Sequence, residues 1–81
     1  MDDLADLRLR LADAFLKRDA ERLKVLDLKH SLSFATRDEH YKAARHIRGL
    51  IKIHEAVLAE KIAAHEMVLA EFVAATEEPS L

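Results

Sequence analysis

The 81-residue chain has no cysteine and no tryptophan, one glycine, one proline and only 5% aromatic residues. Without cysteine there can be no disulfide scaffold, no thiolate metal site and no cysteine nucleophile. A single glycine, Gly49, cannot build a phosphate-cradling loop. Neither charge sign dominates: 13 Lys and Arg stand against 15 Asp and Glu, and the formal net charge of −2 rules out a uniformly basic nucleic-acid binder. No apolar run approaches the roughly 18 residues of a membrane span, because Glu60, Lys61, His65, Glu66 and Glu71 interrupt the most apolar stretch. The opening Met1, Asp2 and Asp3 do not form the basic segment of a secretory signal, so no membrane association and a cytoplasmic location are expected.

What remains is 51% hydrophobic and 35% charged, with fourteen alanines and thirteen leucines, a composition that favours long helices over sheets. One helical domain over residues 1–81 is expected. Asp2 or Asp3 can cap a first helix and Asp6 opposes its dipole. Leu4, Leu7, Leu11, Phe15 and Leu26 gather on one face at 100° per residue, with Ala12 and Leu23 beside it. Leu9, Leu16 and Leu28 fall at its edge or outside it, which implies a broad seam able to touch two neighbours. Ser31, Ser33 and Thr36 mark a turn over 32–36. Thr36 stands three residues before Glu39 in the manner of a capping box, which starts a second helix near Arg37.

Helical propensity then holds to Thr76, with Pro79 beyond it and a flexible tail over 77–81. At 1.5 Å per residue, helix two over 37–76 reaches about 60 Å and helix one over 3–31 about 43 Å. The hairpin is therefore expected to be unequal, leaving Leu69, Phe72 and Val73 beyond its end.

One internal repeat stands out: His54-Glu55-Ala56-Val57-Leu58-Ala59-Glu60 recurs as His65-Glu66-Met67-Val68-Leu69-Ala70-Glu71, offset by eleven residues. The apolar ladder through it, Ile47, Ile51, His54, Leu58, Ile62, His65 and Leu69, averages about 3.67 residues per turn, a period that predicts straight or weakly right-handed packing. With Phe72 it forms the candidate interface, and Tyr41 and Val73 lie at its margin. A two-helix chain rarely supplies more than ~3–5 kcal/mol from one core, so a homodimer, as a four-helix bundle or coiled-coil-like assembly, is expected. Residues 40–54 carry Lys42, Arg45, Arg48 and Lys52 with no acid, whereas residues 55–81 carry six glutamates against Lys61. This polarity favours an antiparallel pairing of two copies of helix two.

Chemistry-bearing constellations are sparse. His54 and His65 are about 16 Å apart along a helix, too far to share one metal ion, and no His pair or Glu-x-x-His has ligand spacing. No metal or other cofactor is expected. On an aliphatic seam both histidines could instead oppose assembly when protonated, since the glutamate after each points about 100° away. No nucleophile stands beside a base, and enzymatic activity is not expected. Lys42, Arg45, Arg48 and Lys52 lie within about 120° of helix surface opposite the ladder, which makes nucleic acid the alternative partner. The helical-hairpin layout and the cap residues between Thr36 and Leu50 resemble those of the small co-chaperones of bacterial type III secretion systems and of short helical proteins of tailed phages. That resemblance implies a role in binding another protein, as an adaptor, co-chaperone-like or phage-type accessory protein.

Overall fold

The computed structural model describes residues 3–77. Helix α1 spans Asp3–Arg37 and helix α2 spans Tyr41–Thr76, and the two pack against each other as an antiparallel hairpin. The result is a rod of 64 × 22 × 15 Å. No strand occurs among the described residues.

Burial on α1 follows alternating steps of three and four: Leu4, Leu7, Leu11, Ala14, Arg18, Glu21, Val25, Leu28, Leu32 and Ala35 are all buried or half-buried. Burial on α2 repeats the pattern through Ala44, Ile47, Ile51, His54, Leu58, Lys61, His65, Val68 and Phe72. Both series average 3.5 residues per turn, the period of a coiled-coil seam. The eleven-residue ladder shares this path from Ile47 to Leu58 and then departs from it. The heptad passes through Lys61 and Val68, and leaves Ile62 and Leu69 exposed on the flank. Lys61 can occupy a seam position because its aliphatic stem lines the groove while the ammonium reaches water.

The turn lies further along the chain than the sequence suggested. Ser31, Ser33 and Thr36 are helical, and the Thr36 hydroxyl donates back to Leu32 O at 2.8 Å. A capping box there does not form. The chain reverses at Asp38-Glu39-His40 through a Schellman pattern: Glu39 N–H donates to Thr36 O at 3.2 Å and His40 N–H to Ala35 O at 2.9 Å. Glu39 adopts φ 60, the left-handed conformation that glycine would ordinarily supply here. His40 then stands at the N-cap of α2 without a side-chain cap, and its carbonyl receives the N–H of Ala44 at 2.9 Å.

Moving the turn equalises the helices at 35 and 36 residues, so α2 does not overrun α1. Arg10 Nη2 reaches Glu71 Oε2 at 3.0 Å across the open end, and Phe72 is half-buried rather than wet. Of the expected tail, Glu77 is extended, with its N–H donating to Val73 O; residues 78–81 lie outside the described residues. Gly49 neither breaks α2 nor marks a close crossing within the hairpin, since a Cβ placed there meets nothing within 4 Å. The enclosed core is small. Among the described residues Val25, Ala35, Ala44 and Ile51 are the buried apolar side chains, and no large side chain is fully enclosed.

Candidate interaction surfaces

Midway along the rod the seam turns polar. Glu21, only 8% exposed, accepts from His54 Nδ1–H at 2.6 Å, with Lys24 Nζ at 3.6 Å from its other oxygen. The hydrogen bond from His54 holds the Glu21 carboxyl below its usual range; partial burial opposes this and the Lys24 charge reinforces it. Arg18 Nη1 lies 3.5 Å from His65 Nδ1, at the outer limit of a hydrogen bond, and its guanidinium sits 4.8 Å over the Phe15 ring. The Phe15 and His65 rings are 5.9 Å apart. The two histidines therefore have neighbours of opposite charge, a carboxylate at His54 and a guanidinium at His65. The partner of His54 comes from α1, which a single-helix projection of His54 and Glu55 does not reveal.

Of the candidate interface residues, Ile47, Ile51, His54, Leu58, His65 and Phe72 sit in the seam with α1, within one chain. Ile62 and Leu69 are left outside. Leu69 joins Arg8, Leu11, Ala12, Phe15 and His65 around an open apolar groove at the free end. Tyr41 and Val73 are well exposed. Lys42, Arg45, Arg48 and Lys52 are all exposed on α2, and none forms an ion pair among the described residues. Tyr41, Lys42 and Arg45 surround a shallow recess beside the turn. Lys29 and Glu55, 3.8 Å apart, link the helices at mid-height.

The outer side of α1 carries a second stripe. Leu9, Leu16 and Leu23, seven residues apart, are exposed, as are Ala12 between the first two and Leu26 just beyond the last. Leu9 and Leu16, expected at the edge of the main face or outside it, share with Leu23 a seven-residue spacing that marks this stripe in the sequence. Ala12, Leu23 and Leu26, expected beside or on the main face, belong to this outer stripe, and Phe15 lies on the flank between the two. On α2, Ile53 and Met67 are also exposed, and Leu50 and Val57, a turn to either side of Ile53, are half-buried.

Among the described residues no cluster of His, Asp or Glu has the makings of a metal site, and no helix is long and apolar enough to cross a membrane. No family model, no curated protein and no solved structure matches the chain.

Proposed function

We propose that the chain is a non-enzymatic helical interaction module that self-associates and offers its remaining surface to a protein partner. One observation carries this reading: the hairpin encloses only a handful of small or medium apolar side chains, while Leu9, Leu16, Leu23, Ile53 and Met67 lie in water. Burial of one such side chain is worth about 1.5–3 kcal/mol, so a second helical surface laid on the outer stripe of α1 recovers several such terms at once. The expected role of helix two changes with the fold. Most of its ladder is used within the chain, so association falls to the outer stripe of α1. Sedimentation equilibrium over a wide dilution series tests the reading; a dimer that dissociates only on dilution supports it, and a single copy at every concentration overturns it.

A second reading, binding of nucleic acid, is supported by the four free cations Lys42, Arg45, Arg48 and Lys52 on one exposed face. Phosphate contacts of this kind weaken steeply with salt. Anisotropy of a labelled duplex at low salt separates the readings, since an unchanged signal removes this one.

A further inference from the structure

We infer that α1 pairs in parallel with α1 of a second copy through its outer stripe. This rests on the self-association just proposed and names the face and the orientation. Leu9, Leu16 and Leu23 are 72%, 65% and 50% exposed, and with Ala12, Asp19 and Leu26 they complete alternating steps of three and four. The stripe centres about 150° around α1 from the seam with α2, so both can be occupied at once. The small Ala12 between Leu9 and Leu16 lets two backbones approach closely there. Asp19 is the acidic residue in the stripe, and Arg22 neutralises it from the same helix, with Nε and Nη2 at 3.2 and 2.8 Å from Oδ1.

The flanks commit the occupant. On one side of the stripe stand Asp6, Asp13 and Asp27; on the other stand Arg8, Arg22 and Lys29. In a parallel pair each flank faces the opposite flank of the partner, which brings Arg8 toward the partner's Asp13 and Arg22 toward the partner's Asp27. In an antiparallel pair each flank faces its own kind, acid on acid and base on base. A second copy in parallel is thus the occupant whose charges fit. The basic and acidic halves of α2 do not reverse this choice, because α2 lies on the far side of α1. Two such helices would be some 25–30 Å apart at interaxial spacings of about 8–10 Å, beyond the ~8 Å Debye length of physiological salt. Residues 3–23 of α1 carry five acids and five bases, so the paired helices do not repel through net charge along that stretch.

Single-cysteine cross-linking decides the matter cleanly, since the chain has no native cysteine. Leu9→Cys and Leu23→Cys proteins are oxidised separately and as a mixture, with sedimentation of the unmodified chain alongside. Parallel pairing predicts that each variant links to itself and that the mixture gives no excess of the 9-to-23 product. The substitution Asp13→Arg should weaken the dimer several-fold. Adding Arg8→Asp to the same chain should restore it, with unchanged helical circular dichroism throughout because both sites are exposed and the Asp19–Arg22 pair is left intact. A dimer that links chiefly 9 to 23, or one that links at neither position, overturns the parallel α1 pairing while leaving self-association standing. A chain that stays single at every concentration overturns both.

Discussion

At the level of single residues the seam is specified by its small and its polar members. Ala44 is fully buried and Ala35 nearly so, where the helices leave the turn. A larger side chain has no room there, and Ala44→Leu is expected to destabilise the hairpin by about 1–3 kcal/mol in chemical denaturation followed by circular dichroism. Glu21 and His54 supply the opposite kind of specificity. Sliding one helix by a turn would strand the Glu21 carboxylate against apolar neighbours, so the pair fixes register. Because the Glu21 carboxyl titrates below its unfolded value, its stabilising contribution is complete above the unfolded value and is lost as pH falls through the folded one. Thermal melts from neutral pH downward should show an acid-side loss that Glu21→Gln reduces; an identical acid profile for the variant would contradict that role. The histidines were expected to oppose packing together when protonated. Their neighbours in the hairpin differ, the Glu21 carboxylate for His54 and the Arg18 guanidinium for His65.

At the level of helices, the all-helical class was legible because glycine and proline, which punctuate helices, are almost absent. The position of the turn was less so. Ser31, Ser33 and Thr36 look like a loop in composition, yet Leu32 and Ala35 continue the seven-residue pattern of α1 through them, and Ala44 resumes it on α2. The true break, Arg37 to His40, is a run of polar residues with no apolar member and no turn-forming glycine. Its left-handed residue is Glu39, for which glycine removes a steric penalty of about 1–2 kcal/mol, so Glu39→Gly is expected to stabilise the hairpin by about 1 kcal/mol. Gly49→Ala should add about 0.5–1 kcal/mol, since the new methyl meets open space in a continuous helix. Thermal denaturation of each variant measures both effects, and a fall in stability at Gly49 would mean that another chain packs closely there. The apolar face of α2 was readable as far as Leu58. Beyond it, hydropathy favoured Ile62 over Lys61 and Leu69 over Val68, whereas the partner helix selects by position, which one helix cannot reveal.

At the level of the whole molecule, one seam between two helices of equal length leaves the rod apolar on more than one side. The expected overhang of α2 is absent, and the exposed apolar surface lies along the sides of the rod instead. Surface ion pairs such as Lys17 with Asp13 at 2.9 Å contribute only about 0–1 kcal/mol each and do not change that balance. Leu16 stands at the centre of the outer α1 stripe. Leu16→Glu should leave the hairpin folded while abolishing association, because its side chain touches water in the isolated rod. The most direct measurement is light scattering combined with small-angle X-ray scattering on the unmodified chain and on Leu16→Glu. The account predicts twice the 9.2 kDa chain mass for the former, with a maximum dimension still near the 64 Å rod but a thicker cross-section, and one chain mass for the variant. A folded single rod with a radius of gyration near 18.4 Å for both proteins at high concentration would contradict it.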